Sequence, residues 1–202
     1  MYRLYDFALS GNCYKLRLLL HHLKISYDRV PINILSKETR TTDFLAINPN
    51  GRVPVLEVDG KHLPESNAAL WYLANDSDYL PCDKFEQAQV LQWMCFEQYS
   101  HEPYIATPRY WIHILGKQIE YQSEINQRRS HGYAALDVME AHLQNHAWFV
   151  GENYSIADIA LFAYTHVAGE ARYNLSPYEK INDWIRRVRR QPGFITMRDS
   201  AR

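Results

Sequence analysis

One stretch of the chain, NPNGRVPVLEVDGKHLPESNAA at residues 48–69, restricts the possible folds more than any other. Val55–Val58 is a short run of β-branched and aliphatic residues, and Asp59-Gly60 supplies the residue types that a type I′ hairpin turn requires. Residues 61–63 offer the returning strand. The stretch therefore predicts a β-hairpin.

Pro54 stands at the mouth of this hairpin, where a proline is tolerated although it has no N–H to donate. X-Pro bonds are also the peptide bonds that become cis at modest cost. Such a bend turns the amide and carbonyl of Val53 outward, where they could hydrogen-bond a peptide as if it were another strand. After the hairpin, Pro64-Glu65-Ser66 opens an apolar helical run whose free N–H groups and positive dipole end face the same region. These features predict a binding site for a small anionic peptide.

Three motifs occur in a fixed order: SGNC at residues 10–13 after the first strand, then NPNGRVPVLE, then LPES. In this order they resemble the amino-terminal domain of cytosolic glutathione transferases of a serine-type, theta-like or bacterial kind. The resemblance extends over nearly the whole chain and implies glutathione as co-substrate. It also implies a cis bond before Pro54, the backbone of Val53 on the cysteinyl part of glutathione, and Glu65 and Ser66 on its γ-glutamyl end. An edge hairpin with a helix cap at Ser66 is a simpler interpretation, but it leaves the ordered set unexplained.

The overall charge and the cysteines exclude several other classes of protein. Lys and Arg number 22 against 23 Asp and Glu, so the formal charge of -1 favours neither nucleic acid nor an anionic membrane. Cys13, Cys82 and Cys95 are odd in number and widely spaced, which indicates neither a disulfide framework nor a zinc cluster. A reducing cytoplasmic location fits them best. The longest apolar stretch, residues 156–164, is interrupted by Asp158, and the amino terminus lacks an export signal, so no membrane segment is expected.

Strand and helix patterns alternate in the first part of the chain. Residues 2–7 and 27–33 are typical of strands, and leucines recur between them at helical spacing from a start near Asn12. A short helical candidate at residues 44–47 leads into the hairpin and its helix. The order is β-α-β-α-β-β-α, with the first two strands parallel and the hairpin antiparallel. This predicts an α/β thioredoxin-like domain over residues 1–76.

The second part of the chain has only helical periodicity. The polar stretch 75–83, which contains Pro81, is the best candidate for a linker. Apolar residues then recur at helical spacing, which predicts an all-α helical bundle domain over residues 84–202. Ser155 and Asp158 form a Ser-x-x-Asp capping box before an apolar run. We expect these two residues to serve folding rather than catalysis.

Conjugation of glutathione requires a thiolate, and a free thiol with a pKa of about 8.5 is little ionised at neutral pH. Ser10 lies between the first strand and the first helix, so its hydroxyl could donate to a sulfur held over the positive helix end and lower that pKa. Asn12 is a second candidate donor, as the resemblance to bacterial relatives implies. Either residue could instead be only the N-cap of the helix.

Two residues compete with Ser10 for the thiol. Some transferase classes use a tyrosine of the first strand, and Tyr5 lies there, but its early position favours strand packing. Cys13 ends a Cys-x-x-Cys frame whose leading cysteine is replaced by Ser10, so a two-cysteine redox cycle is disfavoured. We expect Cys13 to be buried and inert.

Residue patterns are less specific for the rest of the site, which would bind the glycyl end of glutathione and the electrophile. The glycyl carboxylate of glutathione needs a cation, for which Arg52 is the nearest to Val53 and Lys37 is the alternative. Tyr104 and Trp111 are expected in the electrophile pocket, since aromatic walls suit flat apolar substrates. Ordinary core packing would give the same aromatic pattern. His142 and His146 lie four residues apart without a nearby third ligand, so no metal is expected.

These features favour a cytoplasmic, homodimeric glutathione transferase that conjugates glutathione to a small apolar electrophile, a detoxification reaction. One alternative is glutathione-dependent reduction of disulfides or peroxides. Another is a non-catalytic binding or regulatory protein that retains the transferase fold. No nucleic-acid or membrane partner is expected.

Overall fold

The computed structural model describes residues 1–199, which form two compact units. Met1–Ser77 and residues 192–199 belong to the first unit, and Asp78–Gln191 forms the second. The sequence-based division assigned everything from residue 84 onward to the helical domain. The structure instead returns residues 192–199 to the first unit, and residues 200–202 lie outside the described residues.

The first unit has the predicted element order β-α-β-α-β-β-α. Its sheet has the strand order β2-β1-β3-β4, with β1 parallel to β2 and antiparallel to β3. The thioredoxin-like expectation is thus confirmed. The elements are β1 Tyr2–Asp6, α1 Gly11–His22, β2 Tyr27–Pro31, α2 Thr42–Ile47, β3 Val55–Val58, β4 Lys61–Pro64 and α3 Ser66–Ala74.

The predicted hairpin is formed by β3 and β4, which pair antiparallel. Its turn residues Asp59 and Gly60 have φ angles of 49° and 79°. Positive φ at both central positions is what a type I′ turn requires, and this turn matches the right-handed twist of the flanking strands. Local turn chemistry was therefore sufficient to predict this element.

The central strands β1 and β3 bury residues on both faces of the sheet. Leu4 and Leu56 are direct cross-strand partners, and both are fully buried. The next residues, Tyr5 and Val55, are also partners and point to the opposite face because successive strand residues alternate. There they pack with Phe44 of α2. The register thus places one apolar pair on each side of the sheet.

Helix α1 is buried on nearly every side, which an amphipathic pattern does not predict. Helix α3 packs against it, and residues 192–199 cover another part of its surface. The Tyr14 hydroxyl donates to the Ile195 carbonyl at 2.6 Å, and His22 Nδ1 lies 2.8 Å from the Pro192 carbonyl oxygen. The end of the chain therefore completes the burial of its first helix.

The second unit is helical. Its elements are α4 Lys84–Phe96, α5 Glu102–Arg109, α6 Gln122–Leu143, α7 Ile156–Thr165 and α8 Glu179–Arg189, with π-helical turns at Glu97–His101 and Tyr110–Ile114. The all-α expectation is confirmed for this unit. Of the helices between residues 1 and 199, none combines the length and apolar character needed to cross a membrane.

The capping box at the start of α7 is present and is more extensive than the motif alone predicts. Ser155 Oγ accepts from the Ala157 N–H at 3.3 Å, and Asp158 Oδ2 accepts from the Ser155 N–H at 3.0 Å. The other oxygen of Asp158 accepts from the Phe149 N–H at 3.2 Å and from the Trp184 indole N–H at 2.9 Å. Asp158, fully buried, thus holds α7, α8 and the preceding loop together.

This geometry predicts unequal costs for two alanine substitutions. Ser155→Ala removes one cap and should lower the free energy of unfolding by about 1 kcal/mol. Asp158→Ala leaves the buried N–H groups of Phe149 and Trp184 without their acceptor, which costs about 1–3 kcal/mol each. It should therefore lower the free energy of unfolding at least twice as much as Ser155→Ala does. Thermal unfolding followed by circular dichroism measures both.

Glu152→Ala is the matched control, because Glu152 is exposed in the same loop and its removal should change stability little. Equal losses for Ser155→Ala and Asp158→Ala would show that Asp158 acts only as a local cap.

Candidate functional site

Helix α1 begins at Gly11, and Ser10 is its N-cap. Ser10 has extended backbone angles, and its Oγ accepts from the Cys13 N–H at 3.2 Å. The open alternative in which Asn12 caps the helix does not occur, because Asn12 lies inside the first turn. A serine hydroxyl has one donor in addition to its acceptor lone pairs. The cap therefore uses the acceptor side of Ser10 and leaves its O–H available to donate.

The start of α3 lies beside the start of α1. Ser66 is the first residue of α3 and is buried, and its Oγ donates to Asn12 Oδ1 at 3.3 Å. Ser66 is not the helix cap that the simpler interpretation assumed, because Glu65 occupies the N-cap position and makes no side-chain cap bond. Two candidate residues that are 54 positions apart in sequence thus meet at two helix N-termini.

Glu65 is held in an unfavourable backbone conformation. Its φ of 71° and ψ of 111° lie outside the regions that a residue with a Cβ normally adopts. Such outliers cost about 1–3 kcal/mol and are concentrated at functional sites. The carboxylate of Glu65 is exposed, next to buried Ser66. The strain is consistent with a segment positioned for binding.

Lys15 is a site residue that the sequence reasoning missed. Its side chain is fully buried, and its Nζ donates to Asn67 Oδ1 at 3.1 Å and to Ser66 Oγ at 3.4 Å. The residue lies within a leucine-rich helix, where a lysine is ordinarily taken for a solvated position. Only the packing of α3 against α1 brings it to Ser66.

The hairpin mouth is organised by a second residue that was missed, Asn48. Its side-chain N–H donates to the Arg52 carbonyl at 2.8 Å, and its Oδ1 accepts from the Asn50 N–H at 3.0 Å. The Val53–Pro54 bond is cis, as the resemblance implies. Cross-strand pairing of β3 begins at Val55, so Val53 lies just before the paired residues. An Asn that precedes a turn is the signal that could have identified Asn48.

The two candidate cations for a glycyl carboxylate are both exposed. Arg52 follows Gly51 in the loop that Asn48 organises, and Lys37 precedes a 3₁₀ turn, with a left-handed φ of 62°. Both side chains are accessible to an anion in solution. Their exposure does not favour one over the other.

Tyr5 packs within the sheet and does not take the thiol-contacting role for which it competes with Ser10. Its ring packs with Phe44 and Val55, and its hydroxyl donates to Glu57 Oε2 at 2.9 Å. Burial and this bond to a carboxylate raise the pKa of Tyr5. The hydroxyl is thus engaged on a neighbouring strand, which agrees with the packing role expected from its position.

Cys13 is fully buried inside α1. Burial raises the pKa of its thiol to about 12, although the Phe7 N–H, which donates to Sγ at 3.4 Å, opposes that shift. A thiol with such a pKa stays protonated at physiological pH, and only the thiolate is a nucleophile. The geometry therefore agrees with an inert Cys13.

Tyr104 and Trp111 lie in the second unit, in different surroundings. Tyr104 stacks on His131 with ring centroids 4.9 Å apart and lines a cavity of about 430 Å³. Trp111 does not line that cavity. It stacks on Tyr121 at 4.7 Å, and the Arg128 guanidinium lies 4.9 Å from its ring centre. Tyr104 and Trp111 thus have different neighbours within this unit, and their place in an electrophile pocket stays a prediction.

His142 and His146 pack against each other. The rings of His142 and His146 stack at 4.3 Å, and His142 Nε2 and His146 Nδ1 each lie within hydrogen-bonding distance of a backbone carbonyl. Over residues 1–199 there is no group of three or more His, Cys, Asp or Glu side chains arranged to hold a metal ion.

Comparison with known families agrees with this architecture. Residues 1–75 match the N-terminal domain of glutathione S-transferases, and residues 93–192 match the C-terminal domain of the same family. The protein belongs to the glutathione S-transferase family.

Individual relatives differ in their described roles. A glutathione S-transferase structure from Pseudomonas fluorescens is 48% identical and superposes with a TM-score of 0.96, covering 98% of this chain and 99% of that one. The disulfide-bond oxidoreductase YfcG of Escherichia coli is 30% identical over 92% of this chain and 89% of its own length. The transcriptional regulator URE2 of Saccharomyces cerevisiae is 24% identical over 96% of this chain, which spans 66% of that protein.

The burial of Cys13 predicts its chemical behaviour. A thiol reagent added to the native protein at pH 8 should modify Cys82 and Cys95, which are exposed, and spare Cys13. Unfolding in guanidinium should make all three react, because it removes the burial that is the main cause of the raised pKa of Cys13. Mass spectrometry of alkylated peptides reports each site separately, and rapid modification of Cys13 in the native protein would contradict this assignment.

Proposed function

We propose that the protein is a cytoplasmic glutathione transferase that binds glutathione at the paired starts of α1 and α3 and adds its thiolate to an apolar electrophile. The observation that supports this most strongly is what converges there: the Ser10 hydroxyl, the Ser66 hydroxyl that lies 3.3 Å from Asn12 Oδ1, and the positive dipole ends of both helices. An anionic peptide with a thiol is the ligand that such a set suits.

The reaction begins with ionisation of the bound thiol. Lowering its pKa by about two units requires about 2.7 kcal/mol of differential stabilisation. A hydroxyl donor together with a helix N-terminus can supply an amount of this order when water is excluded. The thiolate then attacks the electrophilic carbon and forms a C–S bond, and the leaving group departs with its bonding electron pair.

In this proposal each ligand group of glutathione meets a different part of the first unit. Val53, before cis-Pro54, pairs its backbone with the cysteinyl part, and Glu65 with Ser66 holds the γ-glutamyl end. Arg52 or Lys37 meets the glycyl carboxylate. Ser10 contacts the sulfur, with Asn12 as the second donor.

A second candidate is glutathione-dependent disulfide reduction, which the 30% identity to the disulfide-bond oxidoreductase YfcG favours. The bound thiolate would attack one sulfur of a disulfide, form a mixed disulfide and release the other sulfur as a thiolate. Because Cys13 is buried, a second glutathione would have to complete the reaction, yielding oxidised glutathione and a second free thiol.

Homodimerisation is part of the same proposal. Leu91, Tyr99 and Val138 are large apolar residues of the second unit that are 52%, 84% and 48% exposed, and a second copy of the chain could cover them. Sedimentation showing a monomer at micromolar concentration would contradict it.

Product analysis separates the two activities. We expect thioether formation when the protein is incubated with glutathione and a chlorinated nitroarene, at a rate above the spontaneous reaction. Predominant release of oxidised glutathione with a small disulfide substrate would favour the reductase instead. Ser66→Ala, which removes a ligand group of the proposed glutathione site, should slow either reaction, and Ser176→Ala, an exposed serine of the second unit, is the control. Glutathione binding without any turnover would favour a regulatory protein.

The role of Ser10 is tested by separating its hydroxyl from its capping function. Ser10→Gly removes the hydroxyl while glycine at an N-cap costs only about a few tenths of a kcal/mol. We expect nearly unchanged glutathione affinity but a rise of at least about one unit in the pKa of the bound thiol, equivalent to about 1.4 kcal/mol. The pH-rate profile of conjugation should therefore move to higher pH.

Ser10→Thr, which retains both hydroxyl and cap, should behave like the unmodified protein. If Ser10→Gly titrates unchanged while Asn12→Ala shifts the profile, Asn12 is the thiolate donor.

A further inference from the structure

The guanidinium of Arg17 joins three segments of the first unit to α1. Its Nε lies 3.4 Å from Asp6 Oδ1 at the end of β1, its Nη2 donates to the Ala8 carbonyl at 2.8 Å, and its Nη1 donates to the Asp199 carbonyl at 3.2 Å. The side chains of Arg17 and Asp6 are both fully buried. The planar fork of a guanidinium can hold several acceptors in fixed directions at once. One buried side chain therefore fixes the end of β1, the loop after it and the end of the chain.

Ala8 lies in the tight turn that connects β1 to Ser10. The Ser10 N–H donates to the Phe7 carbonyl at 2.9 Å, so residues 7–10 form a β-turn in which Ala8 is the second residue. The bond that closes a β-turn uses the carbonyl of the first residue and not that of the second. The peptide that carries the second carbonyl is also the one whose orientation distinguishes type I from type II turns. The bond from Arg17 holds this peptide in one orientation.

The orientation of the turn affects the place of the Ser10 hydroxyl. Ser10 ends the turn and is the N-cap of α1, with its Oγ accepting from the Cys13 N–H at 3.2 Å. Its position is therefore set by the helix on one side and by the turn on the other. A hydrogen bond weakens steeply as its distance and angle depart from the best values. A turn that is free to change its orientation would weaken any hydrogen bond that Ser10 donates to a ligand.

We propose that Arg17 is a positioning residue that holds Ser10 where its hydroxyl stabilises the thiolate of bound glutathione, acting through the Ala8 carbonyl. The inference rests on the proposed function, in which Ser10 contacts the sulfur. Because Arg17 is fully buried, it acts on the bound thiol through the turn and not by contact with the ligand.

Arg29 of β2 offers a matched control. Its Nε donates to the other carboxylate oxygen of Asp6, so both arginines pair with the same buried acid. In the described part of the chain, no hydrogen bond joins Arg29 to Ala8 or to Asp199. Arg17→Met and Arg29→Met each remove one guanidinium from Asp6 and leave the other in place. Only Arg17→Met also releases the Ala8 carbonyl.

The test measures the pKa of the thiol of bound glutathione, from the ultraviolet absorbance of the thiolate, and the pH dependence of conjugation. We expect Arg17→Met to raise this pKa by about half a unit or more and to slow conjugation at neutral pH about threefold or more. Glutathione affinity should change by less than about twofold, because the proposed ligand contacts of Val53, Glu65 and Ser66 do not involve Arg17.

Arg29→Met should lower the stability of the protein and leave the pKa of the bound thiol unchanged. An equal rise in both variants would show that the pairing of Asp6, and not the Ala8 carbonyl, controls the pKa, and would overturn the inference. An unchanged pKa in Arg17→Met would overturn it as well.

A double variant tests whether Arg17 acts through Ser10. Ser10→Gly removes the hydroxyl, so the addition of Arg17→Met should then change the pKa of the bound thiol by no more than about 0.2 unit. A further rise as large as the one in the protein that retains Ser10 would show that Arg17 acts by another route, and would overturn the inference.

Arg17→Lys provides a second variant if Arg17→Met does not fold. It keeps a positive charge beside Asp6, but the lysine nitrogen lies one bond short of the terminal nitrogens through which Arg17 reaches Ala8. The pKa of the bound thiol should rise in this variant too, and an unchanged value would overturn the inference. If the unmodified protein does not bind glutathione, or if Ser10→Gly leaves the thiol pKa unchanged, the proposed function or its assignment of Ser10 is wrong instead.

Discussion

The structure of the first unit depends on the burial of two cations within one helix. Lys15 and Arg17 both lie on α1, and both side chains are fully buried. Removing a charge from water is costly unless partners surround it, so each must be held by neighbouring elements. Arg17 forms an ion pair with Asp6 of β1 and donates to the backbone carbonyls of Ala8 and Asp199. One helix is thereby joined to the sheet and to the end of the chain.

Lys15 makes the equivalent connection to α3, and this connection creates the candidate site. Its ammonium fixes the start of α3 against the start of α1, so that Ser66 meets Asn12. The N-termini of both helices, each with the positive end of its dipole, then lie in one region. Ser10, Asn12 and Ser66 are consequently held at the ends of packed helices. The strained backbone of Glu65 is retained because the surrounding structure determines it.

The second unit uses a buried acid in a comparable way. Asp158 accepts four hydrogen bonds, from its own capping box, from the Phe149 N–H and from the Trp184 indole. A local helix-capping motif thus also becomes a long-range connection. In both units a buried polar side chain lies where several helices or strands meet. Its hydrogen-bonding groups find partners only when all of those elements are folded around it.

Sequence patterns were enough to predict the elements whose physics is local: the Asp59-Gly60 turn, the capping box at Ser155, the helical periodicity of the second unit and the order of strands and helices. Each depends on residues a few positions apart. Three features follow only from the folded arrangement: the burial of Lys15, the hydrogen bond from the Tyr5 hydroxyl to Glu57, and the packing of residues 192–199 against α1. These features join residues some 50 to 180 positions apart. No local pattern records such pairs, because their energies come from packing and desolvation that arise only when distant segments meet.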